Sequence, residues 1–277
     1  MPFSEAKINE LKEICKELRK TILKMTHAGK SGHPGGSLSA VEILTVLYFA
    51  VMKYDPNNPN WHERDRLVVS KGHSTPLVYS ILAKAGYYKG DDLLTFRSLG
   101  SPYQGHIDRL RAPGIEVSTG SLGHGTSNAV GMALGTRLDK LNNRVYLLQS
   151  DGELQEGSTW EAIMSASHYK LSNLTAIVDR NRIQLDGWTE ETMTLEPINK
   201  RYEAFGWHVQ EIDGHDLNQI YDAILTTQEV GPKLHKPCVI IAHTVKGKGI
   251  SFMEDQVKWH GVAPNDDELE KALKELG

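Results

Sequence analysis

The amino-acid sequence predicts an α/β fold: a mostly parallel sheet with helices on both faces. Two observations carry this prediction. Short apolar runs of strand length alternate with longer stretches of helical periodicity along the chain. At the centre, residues 144–149 and 174–179 read as strands separated by a helical stretch over 156–169. Such a βαβ crossover joins parallel strands. No linker divides the chain, so residues 1–277 are expected to form a single domain.

The elements follow in order. Residues 4–28 predict an amphipathic helix. Ile8, Leu11, Ile14, Leu18, Ile22 and Met25 recur at spacings of three and four, and Ser4 is a natural N-cap. A glycine-rich loop over 29–36 comes next, carrying Ser31-Gly32-His33-Pro34-Gly35. Residues 38–52 are apolar on more than one face and contain Glu42, which predicts a buried or interface helix too short to span a bilayer. Residues 67–70 form an apolar run ending at Lys71-Gly72-His73, a buried strand feeding a loop, and a helix is expected over 75–86. Residues 100–118 are irregular and contain Gln104-Gly105-His106. Gly120-Ser121-Leu122-Gly123-His124-Gly125 then opens a helix through Leu141, in which Gly131 and Gly135 sit one turn apart and permit close backbone approach. Strands over 208–212 and 238–242, with a helix over 217–228 between them, complete the pattern.

Bulk composition narrows the function classes. The chain has 277 residues, 39% hydrophobic and 24% charged, enough apolar side chain for a packed core. Lys plus Arg is 31 and Asp plus Glu is 35, a net charge of −4 that argues against a nucleic-acid or membrane-surface binder. Cys15 and Cys238 lie far apart with no CxxC, against a disulfide framework or a cysteine metal site and in favour of a reducing cytoplasm. The first residues lack the apolar core of a signal peptide.

The central βαβ unit points to chemistry. In open parallel sheets, ligands bind beyond the carboxyl ends of the strands. Asp151 lies just past the first central strand and Asn181 just past the second, so the crossover brings them side by side. A carboxylate and an amide carbonyl are hard oxygen donors that suit Mg²⁺ or Ca²⁺ better than zinc. Two side chains are few for an octahedral ion, which would then share oxygens with a phosphorylated ligand. The helix expected from Glu156 would aim its free N–H groups and positive end at the same place, and Gly152 would let backbone approach closely.

Asp151-Gly152-Glu153, Glu156-Gly157 and then Asn181 resemble the thiamine-diphosphate fingerprint, which implies a thiamine-diphosphate-binding (PP-type) domain. Four histidine segments narrow the resemblance. Ser31-Gly32-His33-Pro34-Gly35, Ser70-Lys71-Gly72-His73, Gln104-Gly105-His106 and Trp259-His260-Gly261 resemble, in order and rough spacing, the active-site histidine segments of transketolases. Gly120-Ser121-Leu122-Gly123 resembles the segment beside the thiazolium in that family. Any one of these histidines alone is more often structural than catalytic; four together, all in expected loops beside the Asp–Asn pair, reverse that weighting. The resemblance covers essentially all of the chain and stops where a full-length transketolase continues into its pyrimidine-binding and C-terminal domains. The chain is therefore similar to the N-terminal subunit of a split transketolase.

That resemblance implies thiamine-diphosphate-dependent transfer of a two-carbon ketol unit from a ketose or ketose phosphate to an aldose or aldose phosphate, in the pentose phosphate pathway. It implies thiamine diphosphate and Mg²⁺ as cofactors, with Ca²⁺ or Mn²⁺ as substitutes. Asp151, Asn181 and the carbonyl of Ile183 would hold the metal; His73, Gly120, Ser121, Leu122, Asp151, Gly152, Glu153, Asn181 and His260 would bind the cofactor; and His33, His73, His106 and His260 would be catalytic. Glu156 and Glu161 would face a subunit interface. The carboxylate that activates the aminopyrimidine comes from another domain in this superfamily, so a C-terminal partner subunit and an α2β2 heterotetramer are implied, with no nucleic acid or membrane partner. The segments over 38–52 and 123–141 are the candidate assembly surfaces.

Three departures from the family pattern stand out: Ser150 in place of the first glycine of the fingerprint, His124 where a glutamine is usual, and Arg180 and Arg182 flanking Asn181. Two other readings share the Asp–Asn pair and stay open: the α subunit of a 2-oxo acid dehydrogenase (or a 1-deoxyxylulose-phosphate-synthase-like protein), and a non-catalytic thiamine-diphosphate-binding module. Neither enzyme family shows this full histidine set. A dinucleotide oxidoreductase is disfavoured, because no GxGxxG follows a strand.

Overall fold

Strands whose side chains are apolar on both faces need a sheet covered on both sides. β2 (Val145–Ser150) and β3 (Leu174–Arg180) are buried at every position, and β5 (Cys238–His243) at all but its last. The computed structural model describes residues 3–277 and shows the sheet these strands require. β1 (Arg66–Val69) and β4 (His208–Asp213) lie at its edges, in the order β1-β2-β3-β5-β4, and every pairing is parallel. The central crossover sets Val145 opposite Leu174 and Ser150 opposite Asp179.

The pleat sends alternate side chains into two cores. Tyr146, Leu148, Ile177 and Ile240 pack on one face, under α1 (Glu5–Ala28), α3 (Val41–Val46), α4 (Thr75–Lys84) and α9 (Leu217–Leu234). Leu147, Ala176, Val178, Val239 and Ile241 pack on the other, under α5 (His124–Leu138), α6 (Gly157–His168) and α8 (Ile198–Ala204). In α1 the predicted stripe is buried from Leu11 to Met25, and the Ser4 hydroxyl accepts from the Lys7 N–H at 3.3 Å.

The helix expected over 38–52 is present over 41–51, as α3 running directly into a π-helical turn over Leu47–Val51, and a turn at residues 39–40 separates it from the short α2 (Pro34–Leu38). The break at Ser39 has a physical cause. Its hydroxyl donates to Asp179 at 2.6 Å, tying the turn to the end of β3. Residues 38–48 are buried in the chain's own core, so this segment is core and not an assembly surface, correcting that expectation. α5 does expose Gly131 and Leu138. α9 outruns its expected end at 228, even though Pro232 leaves the carbonyl of Gln228 without its helical donor. Arg144 donates to that carbonyl at 2.6 Å.

The residues after β2 do not enter a helix directly. A 3-10 turn over Gly152–Gln155 comes first and α6 begins at Gly157. The backbone N–H groups nearest the strand end therefore belong to this turn, not to α6. Three helices go beyond the sequence pattern, α7 (Thr189–Thr192), α8 and α10 (Asp266–Glu275), although Asn265 and Glu268 form a capping box at the start of α10. No helix among the described residues is long and apolar enough to cross a membrane.

Candidate functional site

The carboxyl ends of four adjacent strands each deliver one polar residue. Lys71 follows β1, Asp151 follows β2, Asn181 follows β3 and Lys246 follows β5. They line one cleft of about 360 Å³, together with His33, His73, His106 and His260. A larger groove of about 680 Å³ lies between α1 and the start of α9. Its buried charges pair as Arg19 with Glu42 at 2.7 Å and Glu42 with His215 at 3.0 Å. Only the smaller cleft gathers the carboxyl ends of four parallel strands, where ligands of such sheets bind, and it is the better site.

The floor of the cleft is built from buried ion pairs. Lys71 and Asp179 are both fully buried and bonded to each other, and the Lys71 ammonium also donates to the Gly36 carbonyl at 2.7 Å. Burial alone would raise the Asp179 carboxyl, but Lys71 and the hydroxyls of Ser39 and Thr244 outweigh it and hold the group below its usual value. Arg180 donates to Asp151 at 3.0 Å and to Thr189 at 2.7 Å, and its other nitrogens reach Glu190 and Glu196. Burial raises the Asp151 carboxyl, with Arg180 opposing and Asp179 reinforcing the rise. Lys246 donates to the Ile183 carbonyl and to Nδ1 of His260, both at 2.8 Å. Burial pulls its ammonium down to about 8.

The rim is a cluster of imidazoles from four loops. The ring of His33 lies 5.3 Å from that of His73, 5.9 Å from His106 and 5.4 Å from His260. Burial lowers all four, and neighbouring cations add to it: His33 falls to about 4 beside Arg97, His260 to about 3 beside Lys246, and His73 well below its ordinary value beside Lys71. His106 is lowered by burial and by Arg97. At neutral pH these are uncharged rings.

Most residues singled out from the sequence converge here. Asp151, Gly152, Asn181, Ile183, Gly120, Leu122 and the four histidines line the cleft, with Glu156 at its rim. Ser150 lies at the strand end in the same wall. Glu153 does not face the cleft. Its carboxylate turns inward beneath the 3-10 turn, accepting from the Ser70 hydroxyl and from the Gly123 N–H at 2.7 Å, so it props the Gly120–Gly123 loop. Burial raises it to about 7. Ser121 is exposed and outside the cleft lining. Glu161 is exposed on α6, and His124 is exposed at the start of α5.

Sequence reasoning misses Lys71, Asp179, Lys246 and Arg97. For Lys246 a signal exists, because it sits in the glycine-punctuated loop that leaves β5 on the same edge as Asp151 and Asn181. The donor set can be tested against a metal. No group of three or more His, Cys, Asp or Glu side chains among the described residues could hold one. One carboxylate, one amide and one backbone carbonyl are nonetheless all oxygen, which fits a hard divalent ion that takes its remaining oxygens from a phosphorylated ligand. Gly152 lines the same cleft, and a Cβ there would meet the Gln184 Cβ at 2.9 Å, so packing within the chain keeps this backbone bare.

Fold and cleft define the class: a parallel α/β domain with a polar cleft at its strand ends beneath uncharged imidazoles. Comparison with known proteins makes it particular. The family model described as "Transketolase, thiamine diphosphate binding domain" matches residues 11–277, and the chain belongs to this family. It is 43% identical over 274 residues to the 6-deoxy-6-sulfo-D-fructose transketolase subunit SqwG of Clostridium sp. (strain MSTE9), covering 99% of this chain and 98% of that one. It is 42% identical over 269 residues to one subunit of the apulose-4-phosphate transketolase of Actinobacillus succinogenes, covering 97% and 96%. Among solved structures, the transketolase of Leishmania mexicana superposes with a TM-score of 0.90 at 33% identity, covering 96% of this chain and 41% of that one. The chain thus matches relatives named as subunits almost end to end, and spans about two-fifths of the single-chain transketolase, of which it corresponds to one part.

Proposed function

We propose that this chain is the N-terminal half of a two-chain transketolase, which moves a two-carbon ketol unit from a ketose or ketose phosphate to an aldose or aldose phosphate within the pentose phosphate pathway. The observation that carries the reading is the set of four uncharged imidazoles grouped around His33, above a floor that supplies Asp151, Asn181 and the Ile183 carbonyl. Those three oxygens would hold Mg²⁺. Gly152, Asn181, His73 and His260 would receive the diphosphate, with Gly120 and Leu122 beside the rings of the cofactor.

Thiamine diphosphate, when bound, supplies the carbanion chemistry that accepts and stores a two-carbon unit. The chain's own share is to orient that group, neutralise its phosphates and handle protons. An uncharged imidazole can take a hydroxyl proton and return it near neutral pH. The carboxylate that activates the aminopyrimidine would come from a C-terminal partner subunit in an α2β2 assembly, with Glu156, Glu161 and the exposed face of α5 toward the partner. Two buried, unpaired thiols, Cys15 and Cys238, support placing this assembly in the reducing cytoplasm.

The test is to assay two-carbon transfer by the highly purified chain alone and after mixing with a candidate C-terminal subunit. Transfer only in the mixture is the expected result. Turnover by the single chain would contradict the half-enzyme reading.

A further inference from the structure

Arg97 belongs to none of the motifs that suggest the function, yet it holds two of the four histidine loops. Its Nη1 donates to the Ser31 hydroxyl at 2.6 Å, and its Nη2 to the Gly105 carbonyl at 3.2 Å and to Nδ1 of His33 at 3.4 Å. Its backbone is left-handed, with φ of 59°, and turns the side chain back across these loops. The space is made for it: a Cβ on Gly105 would lie 2.6 to 2.8 Å from the guanidinium.

A guanidinium carries donors only, so Nδ1 of His33 must be the acceptor. Its lone pair is then occupied, and the single proton of the neutral ring sits on Nε2. That nitrogen is directed toward Gly261, beside His260; it lies 3.8 Å from where a Cβ on Gly261 would be. We propose that Arg97 is a positioning residue that fixes His33 as its Nε2–H tautomer, so that His33 offers the cleft a hydrogen-bond donor and not a base.

The groups facing the ring are Arg97, Lys246, His73, His106 and His260, with no carboxylate among them, so a second proton has no favourable partner. His73 and His106 differ. No ring nitrogen of either holds a hydrogen bond within the described chain, and both line the cleft, which leaves each a nitrogen free to accept. On the ketol-transfer reading, which this step uses, the substrate hydroxyl proton goes to one of these two rings while His33 donates a hydrogen bond to a substrate oxygen. The tautomer itself rests on geometry alone and is read without cofactor, partner or turnover.

The experiment is long-range ¹H–¹⁵N correlation on the full chain labelled with ¹⁵N-histidine, with His33 assigned by His33→Asn. At pH 7 the expected spectrum shows His33 protonated at Nε2 and bare at Nδ1. Arg97→Met and Gly105→Ala should each move His33 toward a tautomer mixture and raise its proton affinity about tenfold, one unit in midpoint. A proton on Nδ1, or an imidazolium at pH 7, overturns the proposal, as do His33 signals unmoved in both variants. The wild-type spectrum decides the tautomer even if a variant fails to fold.

Discussion

The floor and the rim of the cleft handle buried polarity in opposite ways. On the floor, Lys71 with Asp179 and Arg180 with Asp151 are charged pairs taken out of water, each side chain at most 2% exposed. On the rim, His33, His73 and His260 are polar groups kept uncharged, because burial and nearby cations disfavour a second proton. The floor stands on strand ends, whose register sets positions, so desolvation can be offset pair by pair. The rim stands on loops, where holding charge would need partners the loops do not supply. A site that binds a charged ligand below and moves protons above can be built this way: fixed charge where geometry is rigid, titratable neutrality where it is not.

The largest effect should come from breaking a floor pair. Asp179→Asn leaves the Lys71 ammonium buried without a counter-charge and should cost about 3–5 kcal/mol in urea unfolding. A loss below about 1 kcal/mol would mean that the pair is not held as described. Next, Gly152→Ala pushes a methyl against Gln184 and should cost about 1–3 kcal/mol, with weaker cofactor affinity by calorimetry.

The rim gives a pH signature. His33 and His260 have folded values near 4 and 3, depressed below the 6.5 of an unperturbed imidazole. Between these values the unfolded chain binds the protons and the folded chain does not, so stability is full above about 6.5 and falls as the solution is acidified. His33→Asn should make the measured slope of unfolding free energy against pH shallower by up to about one proton over that window. An unchanged slope would show that His33 is already charged in the fold. The smallest effect on the fold belongs to Glu161→Arg. It should leave stability within about 0.5 kcal/mol, as exposed substitutions do, while loosening association with the partner chain in sedimentation experiments.

How much of this is legible in the sequence follows the same division. The parallel sheet and the Asp151–Asn181 adjacency can be read, because apolar strand runs and a βαβ crossover leave little freedom in where strand ends go. The histidines can be gathered only through resemblance, since nothing in their spacing brings four distant loops to one point. Lys71 and Lys246 escape because a buried lysine looks the same as a surface one until its partner is known. Arg97 escapes because its role depends on a left-handed backbone and on the missing side chain at Gly105. The helix expected over 38–52 starts late, at Val41, because hydrophobicity alone does not report the Ser39–Asp179 tie at its first residues.

The central claim is that the floor is a metal and diphosphate site. It is tested most directly by calorimetric titration of thiamine diphosphate into the purified chain, with and without Mg²⁺, beside Asp151→Ala. The account predicts binding that requires the metal and weakens by roughly 100-fold or more in the variant, as loss of a metal-site residue does. Equal binding by both proteins, or binding indifferent to Mg²⁺, would contradict it.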